Sequence, residues 1–153
     1  MNNLVKEQLE EMLDVFESLP DCKIEKNTDD RLLIASYNPV PWSDSLEQGN
    51  SDSTYKIGYI NPHKAALGLY IDFPHDYFEF EKLKEIIDPE ATLTYYPPGE
   101  KASTLKSWWR FRSDEKFDSL HMVLRKTELD YYDFKREDWI ELMQQITGVH
   151  KNK

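Results

Sequence analysis

Two strand-like segments near the middle of the chain are joined by a short turn, and this pairing constrains the fold more than any other feature. Residues 54–60 (TYKIGYI) alternate between apolar and polar side chains, and residues 66–73 (ALGLYIDF) are rich in strand-forming residues. The connecting residues 61–64 (NPHK) carry Pro62 in the second position of a turn. The sequence therefore predicts a central antiparallel hairpin.

Four other segments have apolar residues at the spacing that is typical of amphipathic helices. They are residues 3–19, 79–87, 114–127 and 134–147. Pro20 ends the first of them, because proline lacks the backbone N–H that a helix interior needs. Ser113 is placed to cap the third, with Asp114 and Glu115 in its first turn, where the helix dipole favours acidic side chains.

Strands are predicted in four further segments, which lie on either side of the central hairpin. They are residues 22–26, 31–37, 91–96 and 105–112. No repeat or linker divides the chain, so we expect a single α+β domain over residues 1–153. Its sheet should be largely antiparallel with about five or six strands, with helices packed on one face and at both chain ends.

The formal charge of −10 is spread unevenly along the sequence. Residues 1–54 carry twelve acidic and four basic side chains, whereas residues 101–153 carry nine acidic and eleven basic ones. An acidic body disfavours non-specific binding to nucleic acid or to an anionic membrane, and it favours basic partners. The C-terminal third is the region whose charge balance departs from this pattern.

The single cysteine, Cys22, excludes both an intramolecular disulfide and a cysteine-based zinc finger. The first residues form an acidic amphipathic segment without the apolar core of a signal peptide, and no apolar run has the length of a membrane span. We therefore expect a protein of the reducing cytoplasm.

The acidic N-terminal half suggests a protein-binding surface. A long segment without periodicity, residues 38–54, carries a tryptophan among acidic side chains, and the outer face of the first helix is also acidic. Acidic inhibitors gain association rate from such surfaces, because opposite potentials steer the encounter. The preferred hypothesis is a non-enzymatic interaction protein of the inhibitor, immunity, antitoxin or anti-defence type, bound to a basic protein partner. Its candidate residues are Trp42, Asp44, Glu47, Asp52, Glu10, Asp14 and Glu17.

The segment SWWRFRSDEKF, residues 107–117, suggests a different kind of site. Period-two alternation would place Leu105, Ser107, Trp109 and Phe111 on one face of a strand. The other face would carry an aromatic ring among cations, a combination that stacks bases and holds phosphates. The alternative hypothesis is therefore a binder of a phosphate-bearing ligand, nucleotide or single-stranded nucleic acid through Lys106, Trp108, Arg110 and Arg112.

Catalytic motifs are missing from the sequence. The five glycines form neither a dinucleotide fingerprint nor a P-loop, and no GxSxG elbow is present, so no cofactor is predicted. A third hypothesis, a metal-assisted hydrolase, rests on DFPHD, in which Asp72, His75 and Asp76 could converge from a strand end and its following loop.

Overall fold

The computed structural model describes residues 3–26, 31–40, 45–47, 53–63, 66–125, 132 and 135–147. These residues form three helices: α1 (Asn3–Glu17), α2 (Phe80–Ile87) and α3 (Arg136–Thr147). They also form eight strands: β1 (Cys22–Lys26), β2 (Leu32–Ser36), β3 (Ser45–Glu47), β4 (Ser53–Pro62), β5 (Ala66–Pro74), β6 (Thr94–Tyr95), β7 (Trp108–Ser113) and β8 (Phe117–Arg125).

All eight strands belong to one sheet, in the order β1-β2-β4-β5-β8-β7-β6, and β3 pairs with β4 outside this path. Every pairing is antiparallel except that of β6 with β7. The predicted central hairpin is confirmed, but β4 extends through Pro62, which pairs with Leu67. Asn61 and Pro62, which were predicted as turn residues, therefore belong to the strand.

The helices of the described chain pack on one face of the sheet. Met12 and Phe16 of α1 and Leu142 of α3 are completely buried, together with Ile71 of β5 and Met122 of β8. Their common cluster is the hydrophobic core, and burial of this apolar surface drives the helices onto the sheet. The predicted α+β class, with a largely antiparallel sheet and a helix near each chain end, is confirmed.

The predicted helix over residues 114–127 is wrong, because residues 117–125 form strand β8. Even-numbered side chains of β8 are buried and odd-numbered ones are half-buried, which is the alternation of a strand. Ser113 does not cap a helix: its hydroxyl donates to the Asp118 carboxylate over 2.8 Å and closes the β7–β8 turn. Only a strand in this place pairs with both β5 and β7, so sheet pairing overrides the local helix signals.

The second difference concerns the length of β7, which begins at Trp108 rather than at residue 105. Trp109 and Phe111 face the core as predicted. Leu105 instead is 78% exposed, because the Ser103 hydroxyl accepts the backbone N–H groups of Leu105 and Lys106 and holds them in a turn.

The strand count exceeds the predicted five or six because β8 replaces a helix and β3 forms within the segment predicted to lack structure. Cys22 is buried, and burial raises the pKa of its thiol to about 12, so it behaves as a small apolar residue. None of the described helices combines the length and the hydrophobicity that crossing a membrane requires.

Candidate functional site

The sheet face opposite the helices contains a cavity of about 300 Å³, which we call the open-face cleft. Four strands, β4, β5, β7 and β8, supply its whole lining, and no described helix contributes to it. The lining residues are Lys56, Gly58, Tyr59, Tyr70, Asp72, Arg110, Arg112, Phe117, Ser119, Leu120 and His121.

One row of cross-strand neighbours crosses the cleft. Tyr59 pairs with Tyr70, Tyr70 pairs with His121, and His121 pairs with Arg110. Directly opposed residues of adjacent strands project from the same face, so this register brings the four side chains together. None of the four positions is adjacent to another in sequence.

The rings of this row stack on one another. The ring centroids of Tyr59 and Tyr70 are 4.2 Å apart, and those of Tyr70 and His121 are 3.9 Å apart. The ring centroids of Trp108 and His121 are 4.7 Å apart in an edge-to-face arrangement, and the Arg31 guanidinium lies 4.6 Å from the centre of the Tyr59 ring. Because ring faces cover each other, these side chains present edges and polar atoms to the cleft.

A bulge in β4 places two of the cleft residues on the same face. Ile34 of β2 pairs with Gly58, but the next residue, Ala35, pairs with Lys56, so β4 has one extra residue at this point. The bulge reverses the alternation, and the Lys56 amine lies 5.1 Å from the centre of the Tyr59 ring. Gly58 is required here, because a Cβ atom would lie 2.1 Å from the Tyr70 carbonyl oxygen.

Three cations line the cleft, and they differ in how they are held. Arg110 is anchored: its Nε donates to the Tyr96 carbonyl over 3.1 Å, and its guanidinium lies 5.1 Å from the centre of the Trp108 ring. The Arg112 side chain is exposed and has no hydrogen bond or ion pair to any described residue. Lys56 is half-buried, and its amine lies beside the Tyr59 ring without a hydrogen bond or ion pair to a described residue. Arg112 and Lys56 therefore have donors available, and Arg112 is the more exposed of the two.

Burial shifts the pKa values of Asp72, His121 and Tyr70, three residues of the cleft lining, in the direction that favours their neutral forms. Burial raises the pKa of Asp72 to about 6, and nearby Lys56 partly opposes this. Burial also lowers the pKa of His121 to about 4, and Arg110 lowers it further, so His121 is neutral at physiological pH. Burial and the neighbouring Tyr59 raise the pKa of Tyr70 to about 12.

The predicted nucleic-acid face is assembled in part. Trp108, Arg110 and Arg112 share the open face as the alternation predicts, and both arginines line the cleft. Trp108 is only 6% exposed and lies under Arg110, so its ring is not offered for stacking. Lys106 is exposed in the turn before β7 and is not part of the cleft lining.

The predicted acidic surface falls only partly within the described residues. Trp42, Asp44 and Asp52 lie outside them, and Glu47 lies in β3, where its side chain is not described. The α1 candidates Glu10, Asp14 and Glu17 are all exposed.

One of these α1 acids is engaged elsewhere. The Asp14 carboxylate accepts the Arg136 Nε–H over 2.6 Å, and this ion pair joins α1 to α3. The candidate surface on α1 therefore rests on Glu10 and Glu17, for which the described part of the chain supplies no ion pair.

The predicted metal ligands do not converge as a set. Asp72 lies on the open face opposite Ser119, whereas His75 and Asp76 follow the strand end and meet the buried Asp118. The two nitrogens of His75 lie 3.2 Å from an Asp118 oxygen and 3.1 Å from an Asp76 oxygen. Both ring nitrogens therefore lie within contact distance of a protein carboxylate.

Asp118 is the centre of this second cluster and is only 2% exposed. Its carboxylate accepts the Ser113 hydroxyl, the backbone N–H of Asp76 over 3.0 Å and that of Asp114 over 3.3 Å, besides its contact with His75. These bonds tie the start of β8 to the end of β5, so a structural role is enough to account for the cluster.

Sequence reasoning missed most of the cleft, because the residues come from four strands and one of them was predicted as a helix. The missed residues with polar side chains are Lys56, Tyr59, Tyr70, Ser119 and His121. His121 falls within the segment 114–127 that was predicted as a helix; it lies on β8 and packs against Tyr70. The available signal was the alternation of Leu120, Met122 and Leu124, which places His121 on the other face.

No family model matches this chain, and no curated protein or solved structure matches it either.

Proposed function

We propose that this protein binds a phosphate-bearing ligand, a nucleotide or single-stranded nucleic acid, in the open-face cleft. One observation carries the proposal: on a chain of formal charge −10, the cleft gathers three cations around a single carboxyl group. A cleft of one sign between low-dielectric walls focuses the field and raises the local concentration of oppositely charged ligands. The cleft would thereby attract anions to a protein whose net charge repels them.

The donors of the cleft match a phosphate group. Arg112 offers its planar guanidinium, whose paired N–H groups fit two phosphate oxygens at once. Lys56 adds a second cation, and the Ser119 hydroxyl can donate to a further oxygen. Recognition then depends on charge and hydrogen bonds rather than on base stacking, because the ring faces are already covered.

The test is a calorimetric titration with pyrophosphate and with adenosine 5′-monophosphate, using adenosine as the uncharged comparison. Wild-type protein should bind both anions and not adenosine. Arg112→Ala and Lys56→Ala should each weaken binding by roughly tenfold, because hydrogen bonds to charged groups are worth about 1.5–3 kcal/mol. Lys82→Ala, which removes an exposed cation from α2, is the control and should leave the affinity unchanged.

A wild-type protein that binds neither anion would overturn the proposal. Binding with equal affinity by wild type, Arg112→Ala and Lys56→Ala would overturn the assignment to the cleft.

A second candidate function is binding of a basic protein, in the manner of an inhibitor, immunity protein or antitoxin. The observation that favours it is the exposed acidic face of α1, where Glu10 and Glu17 have no ion pair within the described residues. Complementary potentials raise association rates and select against wrong partners. Asp14 is a weaker candidate, because it is already paired with Arg136.

Charge reversal separates this function from the first. A basic partner captured by the wild-type protein should be lost by the double variant Glu10→Lys/Glu17→Lys. It should be retained by Glu81→Lys, which reverses one exposed acid on α2 instead. If the variant Glu10→Lys/Glu17→Lys still captures the partner, the acidic face of α1 is not the binding surface.

The cytoplasm is the proposed location for either function. The single buried thiol of Cys22 supports it, since the chain has no disulfide for an oxidising compartment to maintain. Cell fractionation with a compartment marker tests it, and recovery in an oxidising compartment would contradict it.

A further inference from the structure

A second cavity, of about 420 Å³, adjoins the open-face cleft on the same sheet face. Tyr70 and His121 line both cavities, so their stacked rings separate one from the other. The second cavity continues along β8 towards its end and is lined there by Val123 and Arg125, with His63 and Asn61 from the β4 side.

Three buried polar atoms around Val123 lack hydrogen-bond partners among the described residues. They are the Nε1 of Trp108, the Nε2 of His121 and the Nε of Arg125. Trp108 pairs directly with Val123, and the other two lie two residues to either side of Val123 on β8. The shared register and period place all three side chains on one patch of the open face.

Unpartnered donors of this kind destabilise a folded protein unless something else satisfies them. The indole of Trp108 and the Nε–H of Arg125 only donate, and Arg125 also carries a positive charge. Trp108 is only 6% exposed and lines neither cavity, whereas Arg125 lines the second one. The cation that the second cavity offers is therefore Arg125, and the group that fits it is an anionic acceptor, such as a phosphate oxygen.

The cations of the two cavities lie at well separated backbone positions. Arg112 in the open-face cleft pairs with Ser119, and Arg125 lies six residues further along β8. At about 3.4 Å per residue the backbones of the two arginines lie roughly 20 Å apart along the strand. Because the Tyr70–His121 stack also lies between the two cavities, a ligand that contacts both arginines needs more than one phosphate group.

We infer that the ligand is a short single-stranded oligonucleotide, with one phosphate held by Arg112 in the open-face cleft and another held by Arg125 beside Val123. This inference rests on the proposed function and specifies its ligand class. Proteins that bind single strands commonly follow the backbone with a line of cations, as Arg112 and Arg125 would do here.

Two probes test the inference: thymidine 5′-monophosphate and tetrathymidylate, each titrated against wild type and variants. Arg125→Ala should weaken tetrathymidylate roughly tenfold and leave the monophosphate unchanged, whereas Arg112→Ala should weaken both. The slope of log K against log salt for tetrathymidylate should also become shallower by about 0.7 in Arg125→Ala. Lys82→Ala is the control cation and should change neither probe.

Arg125→Gln is a second variant, which removes the charge and keeps a polar side chain in the same place. It should weaken tetrathymidylate and spare the monophosphate, in a protein whose thermal unfolding confirms that it is folded. If Arg125→Ala and Arg125→Gln leave tetrathymidylate binding intact, or weaken both probes equally, the inference is wrong while the proposed function stands. If wild type binds neither probe, both fail.

Discussion

His121 stacks on Tyr70 with their ring centroids 3.9 Å apart, at the boundary between the two cavities of the open sheet face. The contact joins the two central strands, β5 and β8, on the side away from the core. Its histidine is neutral, because burial and Arg110 lower the pKa of the ring to about 4. The stack is therefore a packed aromatic wall and contributes no charge to either cavity.

The lowered pKa of His121 predicts a loss of stability in acid. The unfolded chain binds a proton near pH 6.5 and the folded one only near pH 4, so the free energy of unfolding decreases as pH falls between these values. His121→Phe should remove about 1 kcal/mol of this decrease, after allowance for solvent screening. Urea unfolding of wild type and His121→Phe at pH 7 and pH 4.5 measures this difference. If both proteins lose the same free energy of unfolding between these pH values, His121 is not the cause of the loss.

Asp72 predicts a pH-dependent affinity for anions. Its pKa of about 6 means that the carboxylate is neutralised as pH falls through 6, and the cleft then keeps the charges of Lys56 and Arg112 without opposition from Asp72. Wild type should bind the phosphodiester thymidylyl-thymidine more tightly at pH 5 than at pH 7.5. A phosphodiester is the suitable probe, because phosphate monoesters themselves titrate near pH 6.

The matched variant is Asp72→Asn, which lacks the titrating group. It should bind the phosphodiester more tightly than wild type at pH 7.5 and show a flatter pH profile. An unchanged profile in Asp72→Asn would assign the pH dependence to another group.

Gly58 predicts a steric effect on stability. Gly58→Ala places a Cβ atom 2.1 Å from the Tyr70 carbonyl oxygen, so the pairing of β4 with β5 must shift. We expect a loss of about 2–3 kcal/mol in the free energy of unfolding, within the range for overpacked sites. Gly68→Ala is the control, since its Cβ would be 3.4 Å from the nearest atom. Equal losses in the two variants would contradict the steric account.

Asp118 predicts a stability effect at the β7–β8 turn. Asp118→Ala leaves the Ser113 hydroxyl and the backbone N–H of Asp76 without their acceptor, so we expect a loss of about 2–4 kcal/mol. Asp114→Ala, which removes an exposed acid from the same turn, should change stability by less than about 0.5 kcal/mol. Thermal or urea unfolding compares them, and similar losses would refute the role of Asp118.

Much of the fold could be predicted from the sequence because its elements have clear local patterns. Pro20 ends α1 close to its predicted boundary, and the alternation of Trp109 and Phe111 against Arg110 and Arg112 gave the correct faces of β7. These signals depend on neighbouring residues only, and the structure preserves them.

The candidate site could not be predicted in the same way, since it depends on pairing between strands. β8 contains apolar residues at both strand and helix spacing, and the choice between them is made by its pairing with β5 and β7. The bulge at Gly58 reverses the alternation of β4, so Lys56 and Tyr59 share a face that simple period-two counting separates. Register of this kind depends on the tertiary structure.

Amide chemical-shift mapping tests the central claim most directly, because it reports where an anion binds. Nitrogen-15-labelled protein would be titrated with pyrophosphate at constant pH and ionic strength. The account predicts saturable shifts at Lys56, Tyr70, Arg112 and His121, with little change along α1. Shifts confined to α1, or no saturable shifts on the open face, would contradict it.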